Sequence, residues 1–295
     1  MAGICRFLNI HYKTGDRKVE RKIVHVVGTG TIGEPLIGLL CDYENKLGID
    51  EVTFHKNSAL KNDRSKVFDL IERGARLAVD DGKEKEFKKI GMDPDLEKEE
   101  AIKRASVIID CTPKGVGREN KLDYYEKFSD DVKGFLAQGS EDGFGKKYAR
   151  GINDTALNSK DQFIQIVSCN THNMACITKT LALNDNPDNL IEGNYVCIRR
   201  ANDICQPENF IPSPQVGSHP DEKYGTHHAA DAADLFSTLG MDLNLFSSAM
   251  KVNSQYMHIM RFNLKLEEST TLNEIKDKLY NNCLLYTSPS PRDVP

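Results

Sequence analysis

The sequence predicts an α/β chain: a parallel sheet covered on both faces by helices, followed by a smaller α+β unit. Three features predict this. An unbroken apolar run, Ile23-Val-His-Val-Val27, leads into the turn Gly28-Thr-Gly-Thr-Ile-Gly33. Apolar runs and helix-period segments then alternate as far as residue 139, which is βαβ order. Beyond residue 160 strands and helices follow in a different order, interrupted by a proline-rich stretch at 202–226.

Residues 1–22 read as an N-terminal extension. Ile23 to Gly28 is a buried strand. Residues 32–41 put Ile32, Leu36, Leu39 and Leu40 on one helical face, and Pro35 is tolerable only in the first turn. Val52-Thr-Phe54 is a short second strand. Residues 64–78 read as one helix, with Val67, Leu70, Ile71 and Leu77 in period. Residues 82–104 are highly charged and read as a solvated excursion with a short helix. Ala105 to Asp110 is a third strand, Tyr124 and Tyr125 belong to a helix or turn, and Gly134 to Ala137 opens a fourth strand. Residues 23–139 therefore form a Rossmann-like dinucleotide-binding domain. Residues 140–282 form the α+β domain. In it Phe163 to Val167 is a strand delivering Cys169, 171–183 is a helix, and Tyr195 to Ile198 is a strand. Ala229 to Leu239 is a helix, and 243–249 and 257–266 are strands, with that sheet packed behind the cysteine.

Composition narrows the functional classes. The 295 residues are 39% hydrophobic, enough for about two domains. A net charge of -5 argues against a duplex nucleic-acid binder, which needs a basic face. No apolar run approaches a membrane span, and Met1-Ala-Gly-Ile-Cys-Arg6 lacks a secretory stretch. The eight cysteines form no C-x-x-C pair, so no zinc ribbon is expected and no metal site is assigned. A reducing, cytoplasmic setting follows.

The glycine turn carries the first chemistry. Gly28 permits the tight turn, Gly30 lets the backbone approach a pyrophosphate, and Gly33 lets helix pack closely on strand. The helix start supplies amide donors and a positive dipole end. An acidic residue closing the second strand would bind the ribose hydroxyls of NAD. Here His55 and Lys56 stand there instead, and Lys56 suits a 2′-phosphate, so NADP is expected with dual use of NAD. Thr112 to Gly117 borders the nicotinamide side, and Gly139 closes the fourth run as a further cofactor contact.

Cys169 carries the second. A thiolate at the start of a helix can add to an aldehyde and hold the carbon as a thioester while hydride leaves. Free cysteine titrates near about 8.5, so the helix N-terminus and a histidine are needed to favour the thiolate. Four histidines compete: His172, His227, His228 and His258. His258, at the start of a strand, is held more rigidly than a loop histidine and is assigned as the base. Of Arg199 and Arg200, strand alternation sends one toward the cleft and the other away.

Gly30 to Gly33, Thr112-Pro-Lys-Gly-Val-Gly117, Gln138-Gly139, Ser168-Cys-Asn-Thr171, Ile198-Arg-Arg-Ala201, Ser218, His227-His228 and Met257-His258 occur in an order that resembles archaeal-type (type II) glyceraldehyde-3-phosphate dehydrogenase. The resemblance covers residues 23 to 280. It implies Cys169 as nucleophile and His258 as catalytic histidine. It implies Thr31, Ile32, Gly139 and Arg200 on the cofactor, and Ser168, Asn170, His227 and His228 on the triose phosphate. It further implies a reversible, phosphorylating reaction with NADP or NAD, a phosphorylated aldehyde and inorganic phosphate as small-molecule partners, and a homotetramer at full length. The chain departs from that family's pattern at His172, Met260 and Gly225-Thr226.

Residues 283–295 break the helical pattern of Leu272 to Tyr280. They resemble translated sequencing-adapter sequence, so they read as a non-native tail and the catalytic domain as incomplete at its C-terminus. Two alternatives stay open. One is a related semialdehyde or acyl-phosphate-forming aldehyde dehydrogenase. The other is a nucleotide-binding protein without activity.

Overall fold

The computed structural model describes residues 21–183, 186–201, 213–253, 257–282 and 284–285. Residues 1–20, most of the tail and residues 202–212 lie outside the described residues.

The first sheet starts with β1 (Ile23–Val27), every residue of which is buried. α1 (Gly33–Asp42) and the single turn α2 (Glu44–Leu47) return the chain to β2 (Glu51–His55). α3 (Arg64–Glu72) then leads to β3 (Arg76–Val79). The sequence reading carried this helix through Leu77. The structure ends it early because Gly74 takes φ +103°, a conformation that favours glycine, and Leu77 becomes a buried strand residue.

α4 (Glu84–Lys89), β4 (Leu96–Glu97) and α5 (Lys98–Arg104) fill the segment expected to be solvated. Its charges face out, but Phe87, Met92, Leu96, Ala101 and Ile102 are buried, so it is part of the core. Next come β5 (Val107–Asp110), α6 (Val116–Asp123), β6 (Gly134–Gln138), β7 (Lys146–Tyr148) and β8 (Phe163–Ile166).

These eight strands form one sheet in the order β4-β3-β2-β1-β5-β6-β8-β7, and every pairing is parallel. β8 is therefore hydrogen-bonded to β6 of the first sheet, with Gln138 opposite Ile166, rather than to the second sheet as the sequence reading had it. Phe163 stacks on Phe135 of β6 with ring centroids 4.6 Å apart, which fixes that register. Separate apolar clusters cover the two faces, one under α1 and α3 and one around Ile102, Tyr125 and Phe135.

α7 (Cys169–Thr178) follows β8 and passes into a π-helical turn, Lys179–Leu183. The second sheet contains β9 (Leu190–Arg200) and β10 (Gln215–Val216). It is completed after α8 (His227–Ser237) by β11 (Leu245–Val252) and β12 (Ile259–Leu266). Its order is β10-β11-β9-β12, with β9 central and parallel to β11 but antiparallel to β12. α7 and α8 pack on one face through Met174, Ile177, Leu181, Ala232, Leu235 and Phe236. α9 (Leu272–Tyr280) opens with a Thr271–Glu274 capping box. Leu284 and Leu285 rest against the same core, although the sequence reading set them apart from the fold.

Candidate active site

The strand order reverses between β1 and β5, and parallel strands all end at one edge. A crevice opens there in such sheets. Here it is a cleft of ≈ 1050 Å³. Gly28, Gly30, Thr31 and Ile32 line it, with His55 and Lys56 after β2, Asp80 after β3, Thr112 and Pro113 after β5, and Gln138 closing β6.

The turn is built for close approach. Gly28 has φ +95°, and its N–H donates to His55 O at 3.2 Å. Gly33 does not line the cleft but sits behind it, where a Cβ would meet Gly28 O at 2.0 Å. At Gly30 nothing lies within 4 Å of that position, so a side chain there would project into open space beside the turn. α1, ten residues long, begins at this turn. These features fit a dinucleotide pyrophosphate.

At the end of the cleft beyond β2, Lys56 is only 6% exposed and its Nζ lies 2.5 Å from Asp63 Oδ2. His55 Nε2 lies 2.9 Å from Asp80 Oδ1. That hydrogen bond, with Lys83, holds the Asp80 carboxyl far below its ordinary range. The edge of the cleft after β5 is braced by two buried carboxylates, Asp110 and Glu141. Asp110 accepts from Thr112 N–H, Asn120 Nδ2 and Tyr125 OH. Glu141 accepts from Gly115 N–H at 2.7 Å and Arg118 N–H at 3.2 Å, capping α6.

Gly139 does not line the cleft. It is clamped at the same strand-end edge, its N–H donating to Ile166 O at 2.8 Å and its carbonyl accepting from Gln165 Nε2 at 3.1 Å. Three residues past the end of β8 comes Cys169. Ser168 caps α7 by accepting Thr171 N–H at 3.3 Å, which turns the extended strand into helix at that point. Among the described residues, Cys169 is the exposed cysteine, and Cys41, Cys111, Cys176 and Cys197 are buried. Burial pushes the Cys111 thiol up to about 12 and those of Cys176 and Cys197 to about 11. Those thiols stay protonated.

Asn170 gathers the histidines. Its Oδ1 lies 3.1 Å from His258 Nδ1, and its Nδ2 lies 3.4 Å from His228 Nε2. His258, just ahead of β12, is thus brought to the helix turn that carries Cys169. His227 stacks on His228 with ring centroids 4.0 Å apart. Burial lowers the pKa of both, and that of His228 falls to about 3. His172 stands outside the group, with Nε2 3.0 Å from Arg150 O.

Two cations were not assigned from sequence. Arg199 and Lys114 both depress the neighbouring imidazoles of His227 and His228. Arg199 shares its strand face with Tyr195 and Cys197, which are buried toward α7 and α8, whereas Arg200 points to the other face. Strand parity carried this signal, but the sequence alone did not say which face held the site. Lys147 anchors α8 from β7. Its Nζ lies 2.7 Å from Asp231 Oδ1 and 2.6 Å from Asp234 Oδ2. No group of metal-binding side chains occurs among the described residues.

Fold and site together define a Rossmann-like nucleotide-binding sheet joined to a second sheet, with an exposed thiol and an imidazole where the two meet. No protein-family model matches the chain. Over 224 residues, 70% of its length, it is 30% identical to glyceraldehyde-3-phosphate dehydrogenase of Methanobacterium formicicum, and the match covers 60% of that protein. It is 28% identical over 268 residues to glyceraldehyde-3-phosphate dehydrogenase of Picrophilus torridus, covering 89% of this chain and 72% of that one. It is 27% identical over 267 residues to glyceraldehyde-3-phosphate dehydrogenase 1 of Methanosarcina barkeri, covering 88% and 71%. The chain thus spans about 60% of the length of the Methanobacterium relative and is similar to glyceraldehyde-3-phosphate dehydrogenases over most of its own.

Proposed function

We propose that this chain carries the machinery of an NAD(P)-dependent, phosphorylating aldehyde dehydrogenase acting on glyceraldehyde 3-phosphate. The observation that carries the reading is the Asn170–His258 hydrogen bond, which brings an imidazole to the helix turn that carries the exposed Cys169, at the strand edge where the glycine cleft opens. The names of the relatives support the same reading.

The bound oxidised nicotinamide supplies the acceptor for the hydride that leaves the aldehyde carbon. The Gly28–Gly33 turn, Thr31 and Ile32 hold the dinucleotide, with Lys56 on a 2′-phosphate and Gly139 shaping the strand edge beside it. His258 takes the Cys169 thiol proton as Sγ bonds to the carbonyl carbon, and returns it to the carbonyl oxygen as the π electrons move there. His258 takes that hydroxyl proton as the C=O bond re-forms, leaving a thioester on Cys169. A phosphate oxygen then bonds to the thioester carbon, the C–S bond breaks, and its electron pair returns to Sγ. The product is 1,3-bisphosphoglycerate. Ser168 and His227 line the triose site, and Arg199 and Lys114 add the positive charge that phosphates require. The protein works as a homotetramer in the cytoplasm.

Intact-mass analysis tests this with glyceraldehyde 3-phosphate and oxidised cofactor in phosphate-free buffer. A glyceroyl-phosphate adduct on Cys169, released by added phosphate and absent from Cys169→Ser, is expected. A folded, cofactor-bound protein that forms no adduct with this aldehyde, but forms one with an amino-acid semialdehyde, would replace the substrate.

A further inference from the structure

We infer that Asn170 is a positioning residue: it sets the pose and tautomer of His258, and His228 in turn fixes the Asn170 amide. The inference rests on reading Cys169 and His258 as the reacting pair.

Asn170 is 6% exposed and follows Cys169 directly in the first turn of α7. Its carbonyl oxygen can only accept, so His258 Nδ1, 3.1 Å away, carries the proton. The ring's remaining lone pair is then on Nε2. The amide nitrogen can only donate, so His228 Nε2, 3.4 Å away, is bare, and the His228 proton is on Nδ1. That Nδ1 donates to Thr226 Oγ1 at 3.0 Å. Thr226 Oγ1 meets Ser247 Oγ at 2.6 Å, and Ser247 Oγ accepts Ala229 N–H at 3.1 Å. A line of hydrogen bonds therefore runs from the backbone of α8 through His228 and Asn170 to His258.

His228 must stay neutral to accept from the amide. It is 2% exposed, and burial, followed by the charges of His227, Arg199, His258 and Lys114, keeps it so. Around its stacked neighbour His227, Asp231 pulls the other way, and Lys147 adds to the positive side. The polar atoms of Asn170 and both ring nitrogens of His228 are thus engaged within the protein. A substrate group would have to displace one of these bonds to reach the His228 nitrogens. The sense of the amide also matters chemically. Rotated by half a turn, it would move the His258 proton to Nε2 and present a donor where thiol chemistry needs an acceptor.

The test is long-range ¹H–¹⁵N spectroscopy of the imidazoles in the ¹⁵N-labelled 295-residue chain, which needs no substrate. His258 is expected with its proton on Nδ1. Asn170→Ala should give a tautomer mixture. His228→Leu should do the same, whereas His228→Gln, whose Oε1 can accept from the amide, should restore the Nδ1 form. In turnover with glyceraldehyde 3-phosphate, Asn170→Ala should lower kcat about 100-fold with KM within about twofold. A proton on His258 Nε2 in the parent protein, or a tautomer unchanged in a folded Asn170→Ala, would overturn the assignment. So would a large rise in KM at constant kcat, the mark of a substrate contact. The spectra hold even if the aldehyde proves to be a different one, so a failure of the proposed substrate is separable from a failure here.

Discussion

Gly33→Ala tests the cofactor cradle most directly. An added Cβ would lie 2.0 Å from Gly28 O, 2.9 Å from Gly28 C and 3.3 Å from the Cys111 side chain. Ordinary contact begins near 3.4 Å, so the turn and α1 must separate by about 1.4 Å. The nearest atoms are backbone, which cannot rotate away as a side-chain tip can. Overpacking of this kind costs about 1–3 kcal/mol. The shift also breaks the alignment of the first α1 amides with a pyrophosphate. Gly30→Ala is the control, because its Cβ meets nothing within 4 Å in the chain. It should change stability by less than about 1 kcal/mol. It should still weaken dinucleotide binding about tenfold or more by occupying the ligand's space. Urea denaturation and calorimetric cofactor titration on both variants give the comparison. A Gly33→Ala protein as stable as the parent, or a Gly30→Ala protein with undiminished affinity, would show that this turn does not hold the cofactor as described.

Lys147→Met should destabilise the chain by about 3–5 kcal/mol in urea, because it strands the buried Asp231 carboxylate, and adding Asp231→Asn should recover most of the loss. His25 and His228 have pKa values pushed down to about 3, mainly by burial. An unfolded histidine titrates near about 6.5, so the unfolded chain binds protons first and stability falls as pH drops from about 6.5 toward 3. Each histidine contributes a slope of about 1.4 kcal/mol per pH unit, and His228→Gln should visibly flatten urea midpoints measured between pH 7 and pH 5. Lys56→Ala should weaken NADP binding about tenfold and NAD binding little, by calorimetry. Asp63→Asn, which releases Lys56 from its ion pair, should tighten NADP.

The nucleotide sheet was legible because its signals are local. A run such as Ile23–Val27 next to three spaced glycines specifies strand, turn and helix without help from distant residues. The reading failed where tertiary contacts decide. Leu77 sits in helical period with Val67 and Leu70, but Gly74 breaks the helix and Leu77 joins β3. Charge hid the buried residues of 84–104, since Phe87 and Ile102 are spaced too widely to stand out among lysines and glutamates. Of the site, Cys169 and His258 could be chosen from residue type and neighbourhood. Arg199 could not be separated from Arg200 without knowing which sheet face packs on α7. The bonds from Asn170 to His228 and His258 cross 58 and 88 residues of sequence, so no pattern in the chain announces them.

That 88-residue span has a consequence during synthesis. A ribosome adds about 5–20 residues per second, so His258 leaves the peptidyl-transfer centre about 4–18 s after Cys169. Through that interval the nascent polypeptide bears a sulfhydryl at a helix start with no imidazole delivered to it. β9 and β11, which seat the helices behind it, also emerge in that window. On the proposed function, chemical competence therefore arrives late, when His258 and β12 are translated and dock, and an unfinished product would be poorly equipped to capture stray aldehydes.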